Sequence, residues 1–348
     1  MNDGNTPLPS RKEGSSIARK SRKSAWIKRS LIALVLVLVL SGTAYGIYLY
    51  QVGMKNIDKM SIANNGIEVP EEEKADVKPL TILLLGLDSR ENLGLMNTDV
   101  IMMLTLNPEK KTGTLVSLPR DTYVHPAGYR EARKANQFYS IAKVNGYGEG
   151  EFGEVKTIFG DFFDIKPDYA VMINFKAFED MIDALGGVNV YVDQDMKYVD
   201  NADGTNIDLK QGQQELNGKE ALDFVRYRKS NRGTAPSSDF ERNQRQQQVL
   251  SEMLNEAKSF STTLVVDKLM NAVGDNVTTD MPSEQIKSFI KTYVGLTSNN
   301  IEYIPLEGSW RSPFIYLDEA DVEQAKAKLK QQLNGETTPT PTETSPAE

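Results

Sequence analysis

Three short apolar runs open the folded part of the chain: TILLLGL (81–87), VIMMLTL (100–106) and GTLVSL (113–118). Each is bounded by turn residues, with Asn107-Pro108 and Thr112-Gly113 bracketing the second turn, so the pattern predicts three buried strands. Helical spacing takes over in FGEVKTIFGDFF (152–163). YAVMINF then reads as a strand, AFEDMIDAL as a helix stopped by Gly186-Gly187, and VNVYV as a strand. Helices are predicted over Leu216–Phe224, Phe240–Ala257 and Ser283–Val294. A strand IEYIPL and a helix over Glu319–Leu333 complete the pattern. Mixed α and β around a largely buried sheet implies an α/β fold with helices layered on the sheet. No internal repeat is visible.

A different apolar pattern precedes this domain. From Ser30 to Met54 there is no charge, and LIALVLVLVLSGTAYGIYLY is long enough to cross a bilayer, which takes roughly 20 residues. The 29 residues before it hold eight Lys/Arg and two acids, which keeps the N-terminus in the cytoplasm. Tyr45, Tyr48 and Tyr50 suit the far interface. A signal peptide cut after Gly42 and Ala44 is the other reading, but the apolar run continues past that point, favouring a single N-terminal transmembrane helix at the cell membrane with the domain outside. The expected organisation is a cytoplasmic basic tail (1–29), an anchor (30–50), a juxtamembrane linker (51–79), the domain (80–333) and a Thr/Pro-rich tail (334–348).

Charge and composition then narrow the chemistry. The whole chain has a formal charge of −8 although its first 29 residues are basic, so the remainder is more acidic still. Such a domain does not bind nucleic acid by bulk electrostatics. The absence of cysteine excludes disulfides and thiol chemistry. His125 is the only histidine and reads as a surface residue. No Ser/His/Asp set, phosphate-binding P-loop or GxGxxG pattern is present.

Against this acidic background stands FVRYRKSNRGTAPSSDFERNQRQQ (224–247). Arginine holds phosphate through planar, bidentate hydrogen bonds. Arg226 and Arg228 are two apart and share a direction if the segment is extended. Asp239, Arg242 and Gln246 lie on one helical stripe that continues through Val249, Leu250 and Met253, with Arg245 beside it; Ser238-x-x-Glu241 is a capping box that starts the helix. Polar groups heading an apolar face need partners, which a binding pocket supplies.

Asp88 follows the first strand and Asp99 precedes the second, so antiparallel pairing brings the two carboxylates to one sheet edge. They are either a cation site of hard oxygen ligands, suited to Mg²⁺, or a loop residue and a strand cap. Arg120 and Asp121, in SLPRDTYV, return to that same edge if the meander continues, or form an ordinary exposed turn pair.

The order of LLLGLDSR, NTDVIMMLTLNP, SLPRDTYV, KVN, DALGGVNVYV, LNGKEALDFVRYRK and DFERNQRQQQ resembles the LytR-CpsA-Psr family over roughly residues 80–255. The resemblance implies an enzyme of mainly Gram-positive bacteria. It would move a cell-wall glycopolymer, of teichoic acid or capsule type, from an undecaprenyl-pyrophosphate carrier to a peptidoglycan sugar hydroxyl. It implies a three-layer α/β/α sandwich with a central mixed sheet, and an apolar tunnel between sheet and helices. It also implies Asp88 and Asp99 as ligands of Mg²⁺ or Mn²⁺, and Arg120, Arg226, Arg228 and Arg242 as pyrophosphate ligands. Arg90, Arg245 and Gln246 fall in matching motifs and are placed with them; Lys143 and Asn145 also match. Asp239 would orient the arginines, and Asp121 or Asp99 would assist deprotonation of the acceptor. The chain departs from the family at Met96-Asn97-Thr98 before Asp99, at Glu241 where glycine is usual, and in the length of the loop 229–238. A membrane-tethered polyprenyl-phosphate binder with a regulatory role is the alternative; it needs the arginines and the tunnel but not the acids.

Overall fold

The first two apolar runs pair as a hairpin longer than the apolar pattern. β1 is Leu80–Arg90 and β2 is Leu95–Asn107, in register from Leu80↔Leu106 to Arg90↔Leu95. The ladder continues through polar residues, so Asp88 and Asp99 lie within paired strands and not in a connecting loop. β3 (Thr112–Leu118) completes an antiparallel meander after a turn in which Asn107 Oδ1 accepts from the backbone N–H of Glu109 and Lys110. The computed structural model describes residues 48, 51–63, 68–90, 95–145, 150–201, 204–259, 272, 274 and 276–335. Met1–Gln51 and Val52–Glu348 are separate units, and the second holds the sheet and the helices packed on it.

The remaining elements, in chain order, are helix α1 (52–60), ribbon strands β4 (Tyr123–Val124) and β5 (Arg133–Lys134), and helices α2 (Phe138–Asn145) and α3 (Gly150–Phe163). Next come β6 (Tyr169–Asn174), α4 (Phe175–Leu185), β7 (Val188–Val192), β8 (Met196–Asp200), β9 (Thr205–Leu209), β10 (Gly212–Leu216), α5 (Gly218–Arg226) and α6 (Asp239–Ser259). The last are β11 (Val277–Thr279), α7 (Ser283–Tyr293), β12 (Ile301–Pro305), β13 (Gly308–Arg311), β14 (Phe314–Leu317) and α8 (Glu319–Asn334).

The central sheet is mixed, in the order β11-β6-β1-β2-β3-β12, with β6 parallel to β1 and β12 parallel to β3. One face buries Leu83, Leu85, Ile101, Met103 and Val116 under α2, α3 and α8, through Phe138, Phe152, Phe159, Ala325 and Leu329. On the other face Leu80, Ile82 and Leu106 pack with Ile57 of α1 and with Ile286 and Tyr293 of α7. At about 1.5–3 kcal/mol for each large apolar side chain buried, these two layers make the sheet a stiff platform. A third cluster ties α4, α5 and α6 to β7–β10 through Ile182, Val190, Leu209, Phe224 and Val249. The fold is therefore α/β with a central mixed sheet and helices on both faces. VNVYV forms a strand as expected, but it pairs with β10 and lies outside the central sheet.

The stretch 51–79, expected as a linker, contributes buried side chains in its described parts, including Ile57, Val69 and Ala75. Gln285 explains part of this: its Oε1 accepts from the Ala75 N–H and its Nε2 donates to the Glu73 carbonyl. The expected tail 1–29, the span 30–50 apart from Tyr48, and the residues after 335 lie outside the described residues. Among the described residues no helix is long and apolar enough to cross a membrane.

Candidate active site

One irregularity in the β1–β2 ladder aims the chemistry. Gly86 pairs with Val100, but Leu87 pairs with Thr98, leaving Asp99 as the extra residue of a β-bulge. In a regular ladder Asp99 would alternate with Val100 and point to the opposite face. The bulge breaks that alternation, and Asp99 and Val100 line the same cavity. Gly86 makes room for it: a Cβ there would stand 2.8 Å from the Val100 Cβ. Beyond the bulge Asp88 pairs with Asn97, and the Asp88 side chain is buried.

A tight turn after β3 brings the next charged residues to this edge. Thr122 donates its N–H and its hydroxyl to the Pro119 carbonyl, and Asn136 N–H donates to the Arg120 carbonyl. Arg120 Nη1 then donates to Asp99 Oδ1 at 2.6 Å. Asp121, buried, holds Lys134 Nζ at 3.0 Å and faces Arg120 Nε at 3.9 Å. Asp88, Asp99, Asp121, Arg120, Lys134 and Arg228 all line one polar cavity of about 410 Å³. The meander expected from the sequence thus gathers both acids and Arg120.

A second cavity, about 450 Å³, opens from the same residues and runs between the sheet and α4–α6. Its walls are Leu84 and Met102 from the sheet, Phe178 and Met181 from α4, and Leu250 and Met253 from α6. Asp99, Arg120, Arg226, Arg228, Arg242 and Gln246 also line it. Arg120, Asp99 and Arg228 belong to both cavities, so the charged residues form the collar between a polar chamber and an apolar one. In a cavity walled mostly by hydrocarbon, the collar guanidiniums act in a low effective dielectric and attract anions more strongly than they would in bulk water.

The local sequence explains the collar. Asn217 and Glu220 form a reciprocal capping box that starts α5 and carries it to Arg226. The expected extended segment 224–228 is therefore corrected: Arg226 is the last helical residue and Tyr227 turns the chain into an extended conformation. The Arg226 guanidinium lies 4.5 Å from the centre of the Phe175 ring, a cation–π contact. Ser238 and Glu241 cap α6 as expected, and Arg242, Gln246, Leu250 and Met253 run down one stripe into the cavity. The loop 229–238 is tied to β8: Asn231 bonds both the N–H and the carbonyl of Val199, and Ser230 Oγ donates to the Lys197 carbonyl.

Arg245 is a correction. It is 2% exposed and lines neither cavity. Its Nε and Nη2 donate to Asp193 at 2.7 and 2.6 Å, and Nη1 donates to Ser237 Oγ and the Tyr227 carbonyl. One residue past the lining stripe, it turns to the α5–α6 junction and not to the cavity. The side chains of Arg90, Asp239 and Asn145 lie outside the described residues. Lys143 is exposed, with its ammonium 5.8 Å from the Tyr139 ring. His125 is an exposed residue whose ring meets the Tyr129 carbonyl. Sequence reasoning missed Lys134 and Trp310, which line the polar cavity from the β5 and β13 ribbons; neither ribbon has an apolar period to announce it.

Among the described residues no cluster of three or more His, Cys, Asp or Glu side chains is arranged to hold a metal ion. Asp88 and Asp99 with the Asn97 amide are nonetheless hard oxygen donors on one cavity, which suits an ion that retains several waters.

Comparison with known proteins assigns the chain. The LytR_cpsA_psr family model matches residues 45–335. The chain is similar to the polyisoprenyl-teichoic acid–peptidoglycan teichoic acid transferase TagU of Oceanobacillus iheyensis, 34% identical over 283 residues, 80% of this chain and 83% of the relative. TagV of Bacillus subtilis, which bears the same transferase name, is 30% identical over 80% of this chain and 70% of its own. The crystal structure of B. subtilis TagV superposes with a TM-score of 0.59 and 30% identity, over 75% of this chain and 99% of that one. A structure of TagT bound to LI-WTA superposes with a TM-score of 0.56 and 25% identity, over 79% and 97%. With a match across most of its length and the same fold, this chain belongs to the LytR-CpsA-Psr family.

Proposed function

We propose that the protein transfers an anionic cell-wall glycopolymer of teichoic acid type from a polyprenyl-pyrophosphate carrier to a hydroxyl of peptidoglycan. The observation that carries the reading is the arginine collar, placed where a cavity walled mostly by apolar side chains meets an acid-lined polar one. An amphiphile with a hydrocarbon tail and a pyrophosphate head matches both chambers at once. The names of the TagU and TagV relatives supply the substrate class.

In this reading Arg226, Arg228 and Arg242 hold the two phosphates, and Gln246 adds a neutral polar contact. The acceptor oxygen attacks the phosphorus that bears the glycopolymer. The P–O bond to the lipid phosphate breaks, polyprenyl phosphate leaves, and a phosphodiester remains. The hydroxyl proton passes to Asp99 or Asp121. Arg120, which holds Asp99 at 2.6 Å, can instead neutralise the transferred phosphoryl once substrate displaces that contact. Asp239, at the start of α6, orients the arginines. Asp88 and Asp99 would hold Mg²⁺ or Mn²⁺, and the ion would neutralise phosphate charge. The apolar run 30–50 anchors the chain in the cell membrane, with the N-terminus cytoplasmic and the domain outside.

The test is the purified protein with a polyprenyl-pyrophosphate-linked saccharide, peptidoglycan and Mg²⁺. Transfer is expected, and its loss in Asp99→Ala with lipid binding retained. Lipid binding without transfer in the native protein would overturn the reading in favour of a non-catalytic binder.

A further inference from the structure

Next to the polar cavity the surface carries aromatic rings that the core does not use. The β13–β14 hairpin is fixed to the Arg120 turn: Ile315 N–H donates to the Asp121 carbonyl at 2.9 Å, and Thr122 forms a β-bridge with Ile315. On this base Tyr123 stacks on Tyr316, with ring centres 5.1 Å apart and 21° between planes, and meets Phe314 edge-on at 5.2 Å. All four residues of β13 are exposed; Trp310 is 54% exposed and Tyr123 is 36% exposed. Trp310 lines the polar cavity together with Asp88 and Asp99, and Lys134 Nζ lies 5.5 Å from its ring centre while also holding Asp121.

Exposed aromatic side chains in a group mark a surface that is covered in use. Tyrosine and tryptophan suit that role because each offers a broad rigid face at the cost of few torsions. The position selects the occupant. Whatever rests on Trp310 has its edge in the cavity that holds the acids, so it must present a group that belongs there. A pyranose ring does this: its C–H face packs flat on an aromatic ring, and its hydroxyls radiate from the rim. A peptide or a second copy of the chain would also cover the rings, but its hydroxyls are single and scattered, whereas a pyranose joins several hydroxyls to the face that stacks.

We propose that Trp310 is the platform for the acceptor saccharide, stacking a sugar ring of the peptidoglycan strand so that its hydroxyl enters the polar cavity. The platform rests on the transferase reading. Lys134 is a positioning residue in the same scheme: it joins the platform to Asp121.

The chain has two tryptophans, Trp26 and Trp310, so Trp26→Phe in the full-length protein leaves Trp310 as the sole reporter. Titration with uncrosslinked peptidoglycan glycan strands should shift its emission saturably, and an α-linked glucan should not. Trp310→Ala should raise the acceptor KM by about tenfold and leave the donor Kd unchanged, with Trp310→Phe restoring most of the loss. Two results would overturn the platform: emission that ignores the glycan strands, or wild-type acceptor KM in Trp310→Ala. An emission shift that follows protein concentration and not glycan, together with a dimer that Trp310→Ala abolishes in sedimentation, would assign the rings to self-association instead. The two readings separate cleanly. Glycan binding at Trp310 without transfer removes the transferase and keeps the platform; transfer with unaltered KM in Trp310→Ala removes the platform and keeps the transferase.

Discussion

Replacing Arg245 with alanine should unfold the domain more easily without touching the collar. The residue donates two charge-assisted hydrogen bonds to Asp193, one to Ser237 and one to the Tyr227 carbonyl. Bonds to charged groups contribute about 1.5–3 kcal/mol each, net of exchange with water. The Asp193 side chain is 37% exposed and regains water when the arginine is lost, so its pair contributes well below that figure. What is not recovered is the buried Tyr227 carbonyl left with one donor fewer, about 1–3 kcal/mol, and the packing of a 2% exposed side chain between Phe224 and Tyr227. A net loss of about 3 kcal/mol lowers Tm by about 6–12 °C at this domain size. Arg245→Lys keeps the charge but not the planar fork, and should fall between. Thermal unfolding followed by circular dichroism gives the loss of stability, and binding of a polyprenyl-pyrophosphate analogue well below Tm shows whether the collar is intact. An Arg245→Ala protein with native Tm and lost binding would show that the arginine is a phosphate ligand and not a clamp.

Gly86→Ala places a methyl 2.8 Å from the Val100 Cβ, costing about 1–3 kcal/mol and moving Asp99; transfer should fall by more than stability, and Val100→Gly, which removes that Cβ, should restore part of the transfer, as read by paired melting and activity assays. Leu250→Trp puts bulk into the apolar cavity from α6, so the affinity for a long-chain carrier should drop while a short-chain analogue binds as before in a competition assay. Asp223 is held above the ordinary carboxylate range, first by burial, against the opposing pull of Lys219. A raised folded pKa means its contribution to stability is full below the unfolded value of about 4 and is lost as pH rises through the folded one. Urea unfolding of Asp223→Asn should therefore show less decline than the native protein as pH is raised from about 4 towards neutrality; parallel curves would refute the assignment.

The apolar runs 81–87, 100–106 and 113–118 made the meander readable, because buried strands need little beyond an uninterrupted hydrophobic stretch and a turn. From that meander came the convergence of Asp88, Asp99 and Arg120. The stripe Arg242–Gln246–Leu250–Met253 was readable for the same reason, a period joined to a capping box. The bulge was not: one extra residue leaves no trace in composition, and its only sign is a glycine whose need appears once Val100 is opposite. Arg226 and Arg228 were assigned an extended backbone from their spacing, yet the Asn217–Glu220 box had already committed the segment to a helix. Arg245 resembled its neighbours in type and differed in angle, and one residue of helix turn decided between cavity and clamp.

The order of the central sheet bears on how the chain is synthesised. Its outermost members, β11 and β12, come from residues 277–279 and 301–305, whereas every strand they cover is complete by residue 174. Until the last quarter of the chain arrives, β6 and β3 present unpaired ladders on both flanks of a sheet rich in leucine and methionine. Such flanks are templates for pairing with another copy. Premature truncation before residue 301 should therefore yield aggregates and not a smaller soluble domain, although the truncated chain would still contain every residue of the arginine collar.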